Sequence, residues 1–378
     1  MCRYLYNWSL NDRIEAYEND ERTLSYQQQQ NGLPALKKEK PWYKGVHSQV
    51  LQNVLKRLDL GMQAFFRRVK KGETPGFPKF RKKGQWDSLT YPQFKTKPDE
   101  NGELKVSKIG NIKLQYHRDI PEGAVIKTMT IKKEGHKFFC VFSCEIPVAV
   151  ERKVQKGFVG LDLGLIDFFY DSDGSSVVVP KFFRKSEKRL KRLQRRFSVL
   201  LDKRKKTKKD SKERKSLDKT FQKLLKALQK VHSKIRNQRH HFLHHTANLV
   251  LSKKVDTVVV EDLNIQGMKR RPKPKKEGDE FVPNGASAKS GLNKSISDVG
   301  WYSFLQILTY KAEAMGKSVL KVPPHYTSQD CSACGARIKK SLSNRTHSCT
   351  ECGYVANRDH NAAINIMRLG QQSLGLVP

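Results

Sequence analysis

The apolar positions change period several times along the chain, and the changes mark its organisation. Over residues 1–20, Tyr4, Leu5, Trp8 and Leu10 fall on one side of what reads as the end of a helix. Residues 27–45 carry QQQQNG and two prolines and read as loop. Val46, Val50, Leu51, Val54, Leu55, Leu58, Met62, Phe65, Phe66 and Val69 then recur every three or four residues and predict a helix, which KKGETPGFPKF ends. Between 104 and 147 alternation takes over. VIKTMTIKKEGHKFFCVFSCEI predicts a β-hairpin turning at Gly135. Cys140 and Cys144 sit an even number of residues apart on its second strand, so both face one way, as small packing residues do.

A third regime starts at 157. FVGLDLGLIDFFYDSDGSSVVV predicts three short strands, with Asp173 and Gly174 at a turn. Residues 181–245 predict an α-hairpin: Leu190, Leu193, Phe197, Leu200 and Leu201 give one apolar stripe. Phe221, Leu224, Leu225, Leu228, Val231 and Ile235 give the other. VDTVVVEDLNI at 255–265 reads as a buried strand. Residues 266–298 are polar and rich in Lys, Pro, Gly and Ser, and read as a mobile lid loop. A helix over Trp301–Met315, a strand over Lys317–Val322, a four-cysteine segment and a helix from about Asp359 follow. No internal repeat is present. The fold class is α/β.

Charge then narrows the function. The 378 residues hold 74 Lys and Arg against 37 Asp and Glu, a formal net charge of +37. Residues 181–239 alone hold 25 basic and 5 acidic residues. Folding does not need that excess, and a polyanionic partner relieves its self-repulsion. Nucleic acid is favoured over an anionic membrane surface. Within the hairpin, Lys188, Arg192, Arg195 and Arg196 are candidate contacts. No apolar run approaches the ~20 residues of a membrane span. The N-terminus lacks a secretion signal, so a cytoplasmic protein with reduced thiols is expected.

The seven cysteines include two knuckles, Cys331-x2-Cys334 and Cys349-x2-Cys352, each followed by a glycine. Four thiolates fill a tetrahedral Zn2+ shell, so this zinc is structural; an iron–sulfur centre or redox thiols are the lesser alternatives. Three acids complete the chemistry. Asp162 interrupts the apolar strand FVGLDLG, where a charge is costly unless paired or metal-bound. Glu261 ends TVVVE, and its neighbour Asp262 must face the other way. Asp359 opens a helix. Singly, each has a plainer reading: a paired strand acid, a strand-end acid, a first-turn acid. Together, on a meander, a following strand and a late helix, they suit an RNase H-like fold whose acids hold two Mg2+ ions.

At these residues the chain resembles the TnpB family, transposon-encoded RNA-guided nucleases related to compact type V CRISPR effectors. VGLDLGLIDFF, VVVEDLNI and NRDHNAAINI resemble its three RuvC motifs, and TSQDCSACG with RTHSCTECG its zinc segment. GFPKFRKK and CRYLYNWSL resemble its N-terminal half. The resemblance implies a helical recognition domain over 1–90 and a β-rich, barrel-like wedge domain over 91–156. It implies a RuvC nuclease domain over 157–378, with the basic hairpin 181–245, the lid 266–298 and a zinc-ribbon insertion over 325–356 that binds target nucleic acid.

Asp162, Glu261 and Asp359 match the family's catalytic acids. Arg345 resembles a basic residue near related sites, and Gln52 and Asn53 become candidates for reading the motif beside the target, with solvated surface the even alternative. The implied partners are a guide RNA and double-stranded target DNA, bound by a monomer. Family members carry a first strand ahead of CRYLYNW that this sequence does not show, so an edge of the wedge is expected to be missing. Two other functions remain open: a non-cleaving RNA-guided DNA-binding repressor, and a transposition protein that joins ends.

Overall fold

The computed structural model describes residues 1–117, 119–135, 137–146, 157–208, 210–341 and 343–376. The chain divides at 148/149 into two compact units. The expected boundary at 156/157 lies outside the described residues.

In the first unit, α1 (Cys2–Asp20), α2 (Tyr26–Asn31), α3 (Leu33–Glu39), a 3-10 turn (Pro41–Gly45) and α4 (Ser48–Lys70) precede five strands. β1 (Ser88–Tyr91), β4 (Val125–Glu134) and β5 (Lys137–Glu145) form one antiparallel sheet. β2 (Glu103–Val106) and β3 (Gly110–Lys113) form a ribbon. The α4 periodicity is realised over its first half, where Val50, Leu51, Val54, Leu55 and Leu58 are buried, whereas Phe66 and Val69 near its end are exposed. Cys140 and Cys144 both pack against the same core, as their spacing requires.

Two expectations are corrected here. Residues 27–45 are not loop. Ser25 and Gln28 form a reciprocal capping box that starts α2, Pro34 stands in the first turn of α3, and Leu33 and Leu36 are buried. Buried Arg13 of α1 bonds Gln29 of α2 at 2.9 Å and Asp59 of α4 at 3.4 Å, tying three helices. A boundary at 90/91 also runs through β1, and helices and strands share one core from Leu5 and Leu51 to Leu104 and Met129. Among the described residues the strands make an open sheet and a ribbon.

The second unit is built on a five-stranded sheet, ordered β12-β9-β6-β7-β8. β6 (Phe158–Leu163), β7 (Asp167–Asp171) and β8 (Ser176–Val178) form the antiparallel meander expected. β9 (Thr257–Glu261) and β12 (Ser318–Val322) add in parallel. Helices α5 (Phe182–Lys206) and α6 (Lys212–Leu251) make the long hairpin, which ends six residues beyond the expected 245. Leu190 and Leu193 meet Leu224, Leu228, Val231 and Ile235 in a core of their own.

Residues 266–298 are also corrected. They hold α7 (Ile265–Met268), a ribbon of β10 (Lys275–Glu277) and β11 (Glu280–Val282), and α8 (Ala286–Val299). Their composition hides these elements because capping and a few apolar anchors suffice. Asn264 caps α7 through the Gly267 N–H at 2.8 Å, and Ile296 and Val299 bury the end of α8. Helix α9 (Trp301–Ala314) leads to β12, then β13 (Thr346–Ser348), β14 (Val355–Asn357) and α10 (Arg358–Ser373) follow.

Strand parity sorts the sheet into two faces. Val159, Leu161, Val258 and Val260 join the core with the C-terminal part of α6 and with α9. Gly160 and Val259, paired in register, face α10 instead. A Cβ on Gly160 would overlap the Ala363 carbonyl and lie 2.6 Å from the Met367 amide nitrogen. The missing side chain lets helix backbone rest on strand backbone. Gly160→Ala is expected to cost about 3 kcal/mol or more, by denaturant unfolding, because the helix must lift off the sheet.

Candidate metal centres and nucleic-acid interface

The parity that packs α10 also aims two acids. Asp162 lies two residues beyond Gly160 on β6, and Glu261 two beyond Val259 on β9, so both project toward the α10 face. Gly160 meets the helix at Ala363. Two residues along a strand advance ~6.6 Å. Four residues back along a helix, to Asp359, advance ~6 Å. The third acid is thus carried toward the same end of the sheet.

Electrostatics reports the convergence. Burial raises the Asp162 pKa well above the ordinary carboxylate range, and the charges of Glu261 and then Asp359 raise it further. Arg358 and Arg345 oppose that rise. Burial also raises the Glu261 pKa, against a 2.6 Å hydrogen bond donated by the Thr327 hydroxyl. Asp359 accepts from Arg345 Nη1 at 3.3 Å and from Arg358 Nε at 3.2 Å. Asp262 is exposed and pairs with Lys321 at 3.2 Å, the opposite face that alternation requires.

Among the described residues, neither Asp162 nor Glu261 has a cationic partner in an ion pair. Close carboxylates with raised pKa values fit a hard divalent cation, which would supply the missing charge. The oxygens do not close into one tight cage, since only the four cysteines form such a set among the described residues. A pair of ions shared between carboxylates does not require a single cage.

A pH dependence follows. The native state holds protons on Asp162 and Glu261 at pH values where the unfolded chain has released them. Metal-free stability therefore falls as pH rises through these elevated pKa values. A cation must displace the same protons, so its stabilisation grows with pH. Melting curves with and without Mg2+ are expected to separate increasingly as pH rises above the ordinary carboxylate range, where the raised groups still hold their protons. A constant or shrinking separation contradicts the assignment.

The four cysteines meet as their spacing predicts. The sulfurs of Cys331 and Cys352 lie 3.7 Å apart, those of Cys334 and Cys349 3.6 Å. All four lie within 4.8 Å of one another. A tetrahedral ion at ~2.3 Å from each sulfur needs edges of ~3.8 Å. Backbone N–H groups of Cys352 and Glu351 hold the Cys349 thiol down to about 7, while the neighbouring sulfurs raise Cys334 and Cys352, so without a cation the set keeps protons that a metal would displace. Gly335 and Gly353 adopt φ of 80° and 72°, the left-handed turns that bring these amides inward.

Three asparagines on or beside α10 connect this ribbon to the acids. Asn357 caps the helix, accepting from the Asp359 N–H at 2.8 Å. Asn361, fully buried, accepts from the Ser332 N–H at 2.9 Å and donates to the Asp330 carbonyl at 2.8 Å. Asn365 donates to the carbonyls of Thr327 and Asp330 at 2.9 and 2.7 Å. Arg358 and Thr327 were likewise missed by sequence reasoning. The four-residue spacing of Asn357, Asn361 and Asn365 was the available signal.

Lys188, Arg192, Arg195 and Arg196 are exposed on α5, opposite Leu190 and Leu193, without acid partners among the described residues. Gln52 lines a cavity of about 440 Å3 in the first unit, with Gln30, Asn31, Lys37 and Ser48. Asn53 is partly buried on α4. Buried Asp171 is an acid of a different kind: Lys253 bonds it at 2.5 Å and the Ser175 N–H at 2.8 Å, so it closes a turn.

Converging acids on a mixed sheet, joined to a four-cysteine set that could hold a metal ion within a strongly basic chain, suit a protein of nucleic-acid chemistry. Two family models match it: "Cas12f1-like, TNB domain" over residues 301–366 and "Probable transposase" over 141–271. "Putative RNA-guided DNA endonuclease InsQ" of Escherichia coli K12 is 33% identical over 99% of this chain and 87% of its own. A "Putative RNA-guided DNA endonuclease" of Streptomyces pristinaespiralis is 28% identical over 97% and 83%. A solved Cas12f1–sgRNA–target DNA complex aligns over 97% of this chain and 91% of its own, at 16% identity and a TM-score of 0.35. The chain belongs to the TnpB family, with InsQ as a relative. Among the described residues, no helix is long and apolar enough to cross a membrane.

Proposed function

We propose that the chain is an RNA-guided DNA endonuclease that uses a transposon-derived guide and cuts target DNA beside a short adjacent motif. Its second unit acts as an RNase H-like RuvC nuclease, working in the bacterial cytoplasm or nucleoid. The observation that carries this is Asp162: a carboxylate raised by burial and by the charges of Glu261 and Asp359, only partly offset by Arg358 and Arg345, and without an ion-pair partner among the described residues. Family membership supports the reading, and relatives named as RNA-guided DNA endonucleases supply the substrate.

In this reading Asp162, Glu261 and Asp359 hold two Mg2+ ions. Bound there, the pair would supply an activated water and neutralise the leaving oxygen. Thr327 fixes the Glu261 carboxylate, and Arg358, the more covered of the two arginines, fixes Asp359. Arg345 is more exposed and can meet a phosphate of the substrate strand. The four cysteines hold a structural zinc, and the ribbon sets where α10 begins. Gln52, beside Gln30 and Asn31, offers amides suited to adenine edges in the adjacent motif. Lys188, Arg192, Arg195 and Arg196 hold the backbone while base pairing reads sequence.

The test is cleavage of a DNA duplex matching the co-purified RNA. Products that require both the RNA and Mg2+ support the proposal. Guided binding without any Mg2+-dependent product would favour the repressor reading.

A further inference from the structure

We propose that the cavity between α8 and the start of α5 binds a backbone phosphate of a nucleic-acid strand. This rests on the nucleic-acid reading above and locates a contact outside the carboxylate site. The cavity measures about 540 Å3 and lies wholly within the second unit. That is within the ~300–1,000 Å3 of ordinary ligand pockets.

Four cations, Arg239, Arg271, Lys289 and Lys294, line it against one acid, Asp298. The charges are unequally matched. Asp298 is buried, bonds Arg239 Nη2 at 2.9 Å, and accepts the Phe183 N–H at the start of α5 at 2.9 and 3.0 Å. Lys294 is paired with Glu187 at 3.3 Å. Hydrogen bonds from Arg184, then Lys191, help hold that carboxyl down to about 2, so it stays charged. The side chains of Arg271 and Lys289 have no ion partner among the described residues. Two uncompensated cations beside a concave, partly enclosed volume hold an anion more firmly than they would on open surface.

A phosphodiester fits better than an isolated carboxylate. Arginine presents a planar fork to phosphate oxygens, and the lysine adds a point charge. The wall is also the root of α5, whose exposed Lys188 and Arg192 continue the cationic track along which a polyanion extends. The position matters for chemistry as well. Arg271 lies on the strap that leaves β9 just after Glu261. Asn293 and Asn284 fasten that strap through the carbonyls of Lys269 and Lys273, at 2.9 and 2.8 Å. A strand seated here therefore joins the strap to α8 and α5.

The test uses the full chain carrying Arg271→Gln and Lys289→Gln together. Its control, Lys275→Gln with Lys276→Gln, removes equal charge from the β10–β11 ribbon outside the cavity. The probes are a single-stranded RNA oligonucleotide and a DNA oligonucleotide of the same sequence. Binding is titrated over a range of KCl without added divalent ions, so the result does not depend on the carboxylates. The cavity variant is expected to lose about five-fold or more affinity beyond its control, with a salt slope shallower by about 0.7 per phosphate released. Loss with RNA assigns the phosphate to the guide; loss with DNA assigns it to the target strand. Equal losses in both variants, or none, overturn the proposal, as does an acidic peptide that displaces the oligonucleotide at equal charge. Thermal melting checks folding, and Lys289→Gln alone replaces the double variant if that does not fold.

Discussion

Asp162→Asn is expected to abolish guided cleavage, by about 10^3-fold or more, while the metal-free protein stays folded and melts no lower than wild type. The rate loss corresponds to ~4 kcal/mol of transition-state stabilisation withdrawn. The two halves of the result have different causes. Asparagine keeps the shape of the side chain but cannot supply the negative charge that holds a hard cation. It also removes a group whose ionised form is opposed first by burial and then by the charges of Glu261 and Asp359, so the apo fold loses a cost rather than a bond. Single-turnover cleavage and melting curves on the same preparations read both halves. Full cleavage by this variant would refute its role. A large fall in melting temperature would instead make Asp162 a structural acid.

Cys331→Ser is expected to release the ribbon metal and to lower cleavage by about 10^2-fold, although no cysteine touches the acids. Structural zinc in small domains is worth ~10–16 kcal/mol of apparent binding free energy, and folding of the knuckles is tied to it. Here the knuckles are also bonded to α10. Asn361 reaches Ser332, next to Cys331, and Asn365 reaches Asp330 and Thr327. Thr327 in turn holds Glu261. Unfolding the ribbon therefore frees the start of α10, and with it Asp359, together with the hydroxyl that fixes Glu261. A displacement of ~1 Å in a reacting group costs on the order of 10^2 in rate. Metal content by mass spectrometry, read beside cleavage, checks the chain of cause. A zinc-free variant with full activity would show that the ribbon does not position the acids.

The sequence made the candidate site legible where chemistry and period coincided. Asp162 and Glu261 could be read because alternation in an apolar strand leaves a charge only one face to occupy. The cysteines could be read because two knuckles and their glycines have few other uses. What stayed hidden depends on partners that are distant in sequence. Arg358 beside Asp359 looks like one more cation in a basic chain until the helix start is placed. Thr327 is an ordinary hydroxyl until β9 ends beside it. The helices in 26–39 and 286–299 were hidden by glutamine, proline, lysine and serine, although a capping box starts the first, and Leu33 with Leu36 and Ile296 with Val299 anchor the other two. Composition averages over a segment, whereas a cap acts at single positions.

The most direct test is to soak crystals of the RNA-bound protein with Mn2+ and record anomalous scattering. Manganese is expected at the end of the sheet where the carboxylates of Asp162, Glu261 and Asp359 would hold it, and is expected to be lost in Asp162→Asn. Manganese absent from that end of the sheet, or bound equally well without the Asp162 carboxylate, would contradict the assignment.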